Sequence, residues 1–304
     1  MKQTGAPVVH LAFGIGPKVM SQVRIVTDSL SDIPDDIAQE LDILRVPCYV
    51  HFGETSYRDR VDLSPTEFYQ KLVMSNVIPT TSQASPGTFT EIFSQLSDLT
   101  NQVYSLHSVK TLTGMYNSAR LAAEALQTTD PLGMQIQVVD SRATSMGLGW
   151  LAIYAARAAR YGYALDEIKE LIDDVIPRTH CIAMLDTLDY AVRGGRLGKG
   201  AAVVGSLLNV KPIISLVSGE VLLVEKIRTQ KRAVERLADI VLGSGPIQEL
   251  AIIHAAAPEM AEALRKHFAE TWFEEQIMVC ETGPVIGAHT GPGAVGVAWV
   301  NGKF

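Results

Sequence analysis

His289 and Thr290 stand side by side in Gly283–Gly296, a stretch with five glycines and two prolines. Glycine lets a backbone turn and approach a ligand closely, and proline fixes φ and removes a donor. The stretch therefore reads as a rigid, bare-backboned loop presenting an imidazole and a hydroxyl. It equally suits a turn-rich connection with a structural histidine. Upstream, further hydroxyls cluster at Thr27–Ser29, Thr80–Ser82, Thr111–Gly114 and Asp140-Ser141. Thr81, Ser82 and Thr113 each offer a hydroxyl donor before a helix or a glycine, where free backbone N–H groups gather. Such groups make an anion site that needs neither a metal nor a catalytic base. Each also suits a helix cap, a role Ser and Thr favour. Taken with His289-Thr290, the set points to one site.

Other chemistries are poorly served. No G-x-S-x-G elbow is present, although Ser29 or Ser141 with His289 and Asp140 could form a hydrolase triad, since triads are defined by geometry. No phosphate-binding G-x-x-x-x-G-K-[ST] occurs, and Gly194–Gly200 has the wrong spacing. Gly147-x-Gly149 lacks a third glycine, which argues against a nicotinamide cofactor. The seven histidines show no H-x-x-x-H or H-E-x-x-H spacing, and the three cysteines, Cys48, Cys181 and Cys280, lie far apart. We expect no metal or other cofactor, and free thiols in a reducing cytoplasm.

The elements that must position these groups alternate through the first half. Strands are expected at Val23–Ser29, Leu44–Phe52, Gln102–His107 and Gln135–Val139. Helices are expected from Ser31 or Asp32 to Glu40, from Pro65 to Ser75, over Thr88–Leu96, from the end of a polar loop over Ser108–Ala119 to Leu126, from Gly147 to Tyr161, and over Leu165–Val175. Ser64-Pro65 with Glu67 forms a capping box. Such alternation predicts a mainly parallel sheet with helices on its faces, and ligands beyond the carboxyl ends of its strands. The second half, with strands at Cys181–Leu185, Pro212–Leu216, Glu220–Lys226, Glu249–Ala255, Gln276–Glu281 and Ala294–Val300, reads as α+β around a smaller sheet. Short helices are expected at Leu188–Val192 and Val203–Leu208, longer ones at Lys231–Leu242 and Pro258–Thr271. Ala294–Val300 would close a hairpin-like pair with Lys303. The expected organisation is a loose extension over 1–21, an α/β domain over 22–176 and an α+β domain over 177–304. The chain has 304 residues and a net charge of −7, which argues against nucleic acid and allows at most transient contact with anionic membranes.

Together the motifs resemble the DegV family of bacterial fatty-acid-binding proteins. They are Ile25–Ser29, Thr55–Asp59, Pro79-x-Thr-Ser-Gln83, Leu112-Thr-Gly-x-Tyr-x-Ser-Ala119, Val139–Ser141 with Gly147-x-Gly149, Gly194-Gly-Arg196, Leu207–Ile213 and Gly287-x-His-Thr-Gly-Pro-Gly293. The resemblance implies two α/β domains with one long acyl chain buried between or beneath them. It implies that Thr81 holds the carboxylate, with further contacts from Thr113-Gly114 and the His289-Thr290 stretch nearby. It also implies a separate ATP-dependent fatty acid kinase subunit that makes an acyl phosphate for phospholipid synthesis, docked through Arg196 and Arg228. Two departures stand out. The family usually has Ser-Gly-Thr where this chain has Thr113-Gly114-Met115, and Ser108–Thr111 is longer than the usual stretch, so a tighter or shifted head-group pocket is expected.

The physics suits such a ligand. Each charge-assisted bond to a buried carboxylate returns about 1.5–3 kcal/mol, and each buried methylene about 0.8 kcal/mol. The apolar runs Val203-Val204, Leu207-Leu208, Ile213-Ile214 and Val221–Val224 could line a tunnel or simply form core. Arg193, Arg196, Lys199, Arg228, Lys231 and Arg232 concentrate positive charge in an acidic chain. Two other functions remain open on the residues: an ester hydrolase using the triad above, and a regulatory interaction module that holds lipid only as filler.

Overall fold

The chain is described by a computed structural model covering residues 23–129, 133–197, 210–217, 219–272 and 274–303. The first half runs β1 (Val23–Asp28), α1 (Asp35–Glu40), β2 (Ile43–Val46), β3 (Tyr49–Phe52), β4 (Thr55–Arg58), α2 (Pro65–Met74), β5 (Thr80–Ser82), α3 (Pro86–Leu96), β6 (Gln102–His107), α4 (Met115–Thr129), β7 (Gln135–Asp140), α5 (Met146–Arg160) and α6 (Leu165–Val175). The second half runs β8 (Thr179–Met184), α7 (Asp189–Arg193), β9 (Lys211–Val217), β10 (Glu220–Ile227), α8 (Gln230–Leu242), β11 (Ile247–His254), α9 (Pro258–Ala269), β12 (Ile277–Glu281), α10 (Pro284–Thr290) and β13 (Val295–Asn301). The expected extension over 1–21, the expected helix at Val203–Leu208 and Lys199 lie outside the described residues.

Three sheets result. The first is parallel, in the order β2-β1-β6-β7, with helices against both faces, as the alternation predicts. The second has six described strands in the order β10-β9-β8-β13-β11-β12 and is antiparallel except for the β11–β12 pair. It is thus the larger sheet, not the smaller one expected. A third, antiparallel sheet, β4-β3-β5, stands on the first half.

Between the two large sheets lies α5. It packs on β1 and β6 with one side and on β8, β11 and β13 with the other. Its alanines at 152, 155, 156, 158 and 159 are all buried, and small side chains let two sheets close on one helix. The Trp150 indole Nε1 donates across to the Ala298 carbonyl at 3.2 Å. A Cβ on Gly149 would meet the Ser31 carbonyl oxygen at 2.6 Å. The Gly147-x-Gly149 pair therefore marks close packing.

Several local expectations need correction. The single strand over Leu44–Phe52 is two, β2 and β3, in different sheets. Pro47 stands at the break, and proline cannot donate to a ladder. The hydroxyl-rich loop over Pro79–Pro86 contains β5, paired to β3. The first helix begins at Asp35 behind Pro34, with no side-chain cap. A residue preceding proline disfavours helical geometry, so neither Ser31 nor Asp32 caps it. The Gly283–Gly296 stretch is not a bare loop, since Pro284–Thr290 is helical. Ala294–Val300 forms no hairpin with Lys303, because β13 lies between β8 and β11. The Ser64–Glu67 capping box is present, and β6 has the bounds expected.

Candidate functional site

Two polar elements meet at the mouth of a cavity. Pairing with β3 sets Val50 opposite Thr81 and Tyr49 opposite Ser82. α10 starts at Gly283-Pro284, with proline at a first-turn position where its missing N–H costs nothing. Its last turn carries His289, whose Nε2 lies 2.9 Å from the Thr81 Oγ1. The hydroxyl of Ser82 lies 2.9 Å from His51 Nε2. Thr113 Oγ1 accepts from the Met115 amide at 3.4 Å, so Thr113 is both a weak cap of α4 and part of the cavity wall.

The cavity, of about 150 Å³, is lined by Thr81, Ser82, Thr113, Arg196, His289 and Thr290, together with Leu30, Leu112, Leu185, Ile214 and Val285 among others. A second cavity, of about 110 Å³, adjoins it and shares Leu112, Thr144, Ile214, Val221, Ile286 and Thr290. The surface of its wall is mostly apolar, from Ile182, Ala183, Leu216, Ile253, Ala255 and Val295, with Ser145, Ser215, His254 and Thr282 among them. The two share a wall, and Thr81, Ser82, Thr113, Arg196 and His289 line only the first. Of the apolar runs expected in the wall, Ile214 and Val221 line it, Ile213 is core, and Leu222 and Val224 face solvent. Val203, Val204, Leu207 and Leu208 lie outside the described residues.

The remaining expected site residues are placed less directly. Gly114 is not in the wall. A Cβ there would strike the Gln83 side chain at 2.8 Å, so Gly114 makes room for Gln83, which is in the wall. Thr290 donates to the Ile286 carbonyl at 3.2 Å, which occupies its hydroxyl hydrogen. Arg196 is exposed at the mouth and donates to the Gly194 carbonyl at 2.7 Å. Arg228 is exposed beyond the end of β10 and lines neither cavity. Met115, at the departure from Ser-Gly-Thr, is fully buried, and its sulfur accepts from the Ala84 amide at 3.2 Å. Its side chain supports the Gln83-Ala84 segment from the core.

Burial, and next the charge of Arg196, pushes the His289 imidazole down to about 4, so the ring is neutral near pH 7. Its Nδ1 is buried and has no hydrogen-bond partner. A proton there would be an unpaired buried donor, which costs about 1–3 kcal/mol. The favoured tautomer therefore carries hydrogen on Nε2 and donates it to Thr81, an assignment from the network around the ring. Thr81 then keeps its own hydrogen for a ligand oxygen. A histidine depressed by folding stabilises the fold above its unfolded pKa and loses that contribution as pH falls toward about 4. The wild-type chain should therefore lose more stability between neutral and mildly acid pH than His289→Gln, read from urea midpoints. Equal losses would show that the ring is not held neutral.

No hydrolase triad forms around His289. Ser29 Oγ donates to Asp59 Oδ2 at 2.8 Å, Ser141 Oγ donates to the Ala143 carbonyl, and Asp140 accepts from the amides of Arg142 and Lys110. A Ser–His–Asp chain does exist elsewhere: Ser105 Oγ lies 2.7 Å from His107 Nε2, and His107 Nδ1 lies 3.2 Å from Asp28 Oδ2. All three are fully buried and none lines either cavity. Among the described residues no cluster could hold a metal ion, and no helix is long and apolar enough to cross a membrane.

Sequence reasoning missed a polar knot behind the site. The carboxylate of Asp32 is fully buried and accepts from Ser145 Oγ (2.6 Å), Thr282 Oγ1 (2.7 Å), Gly283 N (2.9 Å) and Arg60 Nη2 (2.9 Å). One signal was available: Asp32-Ile33-Pro34 cannot lead straight into a helix, which frees Asp32 for other work.

A family model described as "Uncharacterised protein, DegV family" matches residues 22–302. A DegV domain-containing protein of Caldanaerobacter subterraneus is 35% identical over 281 residues, covering 91% of this chain and 98% of its own length. A fatty-acid-binding DegV family protein from Thermus thermophilus has a similar structure, with a TM-score of 0.84 at 31% identity over 92% of this chain and 99% of the other. DegV of Bacillus subtilis, described as a fatty acid binding protein, gives a TM-score of 0.82 at 28% identity over 93% and 100%.

Proposed function

We propose, since this chain belongs to the DegV family, that it binds one long-chain fatty acid and presents the carboxylate at the mouth of its cavity. The observation that carries this reading is the pair of adjoining cavities, one where Thr81, Thr113, His289 and Arg196 converge and one whose surface is mostly apolar, with Leu112 and Ile286 in the shared wall. In this reading the tail lies toward Ile253 and Val295. The head accepts from the free hydrogen of Thr81, with Ser82 and Thr113 beside it and Arg196 supplying positive charge. Neutral donors suffice to hold an anion and leave its oxygens open to a second protein. The chain itself carries out no bond-making step.

The finer part of the proposal is the recipient. A separate ATP-dependent kinase subunit would phosphorylate the exposed carboxylate to an acyl phosphate, docking where Arg196 and Arg228 are exposed. The setting is cytoplasmic, without a metal or other cofactor. Native mass spectrometry of the chain purified from cells should show an adduct with the mass of a long-chain fatty acid. Thr81→Val should weaken binding roughly tenfold or more, the worth of one hydrogen bond to a charged group. An empty chain, or a valine variant that binds as the wild type does, would remove the reading.

A further inference from the structure

The stretch Thr55–Asp59 and the following Arg60 lie outside both cavities. Asp59 is nevertheless buried, with 1% of its surface exposed. Ser29 Oγ donates to its Oδ2 at 2.8 Å, while its Oδ1 has no hydrogen-bond partner. That unpaired oxygen faces the start of α10: a Cβ built on Gly283 would stand 2.9 Å from Asp59 Oδ1 and 2.9 Å from Arg60 Nε. The Val285 amide, in the first turn of α10, favours the carboxylate without closing a hydrogen bond. On the other side, Arg60 Nη2 donates to Asp32 and, at 2.6 Å, to the Glu281 carbonyl. The same seven-residue helix ends in the turn that holds His289 against Thr81. A body this short transmits a shift at its first turn to its last.

We propose that Asp59 is a positioning residue: it seats the first turn of α10 and, through that helix, sets where His289 meets Thr81. The proposal rests on the fatty-acid reading for its meaning, though not for its geometry. Around Asp59 stand Arg60 beside it, Asp32 after β1, Cys48 between β2 and β3, and Tyr69 on α2, with Glu281 at the end of β12 acting on Tyr69. Two buried carboxylates share one guanidinium, and burial pushes the Asp59 carboxyl up to about 7. A carboxyl raised in this way supports the fold while protonated and gives up that support as pH rises through about 7. Above that point the charged Asp59 draws on the Val285 amide and on Arg60, the first turn of α10 shifts, and His289 moves off Thr81.

The test compares palmitate affinity of the wild-type chain and Asp59→Asn across that range. Ionisation of the fatty acid is common to both, so the difference between the profiles isolates Asp59. As pH rises through about 7, wild-type affinity should fall roughly two- to thirtyfold relative to Asp59→Asn, the usual range for coupling through a packed network. Superimposable profiles from two binding-competent proteins would overturn the positioning role and leave the fatty-acid reading intact. A wild-type chain that binds no palmitate would sink the fatty-acid reading instead. In that case, or if Asp59→Asn does not fold, nitrogen NMR of His289 in the wild-type chain decides. A step in the Nε2 signal centred near pH 7 supports the role, and a single step at the ring's own value of about 4 overturns it.

Discussion

Replacing Asp32 with alanine should lower the stability of the folded chain by about 3–5 kcal/mol, the cost of removing one partner from a buried ion pair. The carboxylate is wholly buried and its four donors come from separate parts of the chain: Arg60 after β4, Ser145 before α5, and Thr282 with Gly283 before α10. Its backbone is left-handed, at φ 51°, a conformation aspartate tolerates better than most residues. Alanine would leave the Arg60 guanidinium, only 12% exposed, without its hydrogen-bonded carboxylate, and Arg60 Nε already has no partner. Two hydroxyls and an amide would also lose their acceptor. Asp32→Asn keeps the shape but only one accepting oxygen, so it should fall between. Urea midpoints for the three proteins test this order. A loss under about 1 kcal/mol for the alanine variant would mean that water replaces the carboxylate at little cost.

The contrast between Ser64 and His289 shows what the sequence made legible. Ser64, Pro65 and Glu67 specify a helix start among themselves, and the helix starts there. β6 follows equally local rules. By contrast, α10 contains Gly287 and is bounded by Gly283 and Gly291, a composition that favours a loop. It is helical because tertiary packing overrides propensity: a Cβ on Gly287 would meet the Tyr69 hydroxyl at 2.6 Å and Phe68 at 2.8 Å. No window of sequence contains that contact. The meeting of Thr81 with His289, 208 positions apart, is likewise invisible to spacing: residue types suggest that the two share a site, but no local pattern pairs them. The hydroxyl-rich loops were easier to see than to sort. Thr81, Ser82 and Thr113 reach the cavity, whereas Asp28 and Asp140 at the strand ends spend their carboxylates on backbone amides and neighbouring side chains. Residue type shows capacity to bond, and the fold decides which bonds remain free for a ligand.

Gly194→Ala should abolish most fatty-acid binding while leaving the chain folded. Gly194 has φ −71°, which alanine adopts freely, so the backbone itself is no obstacle. The obstacle is the imidazole: a Cβ at this position would lie 2.1 Å from His289 Nδ1 and 2.8 Å from its Cε1. Either the ring turns away from Thr81 or the end of α7 moves off α10, which it packs against. In both cases Nε2 no longer fixes the Thr81 hydroxyl, and Arg196, two residues along and bonded to the Gly194 carbonyl, shifts with it. Losing one hydrogen bond to a charged head group costs about 1.5–3 kcal/mol, a loss of roughly ten- to hundredfold in affinity. Displacing Arg196 adds to that. Palmitate titration by calorimetry measures the loss, and circular dichroism checks the fold. His289→Ala offers the control, since removing the ring also removes the collision. On a His289→Ala background, Gly194→Ala should cost little more, because both substitutions act on one contact and such effects do not add. Full additivity would place the effect of Gly194 somewhere other than the histidine.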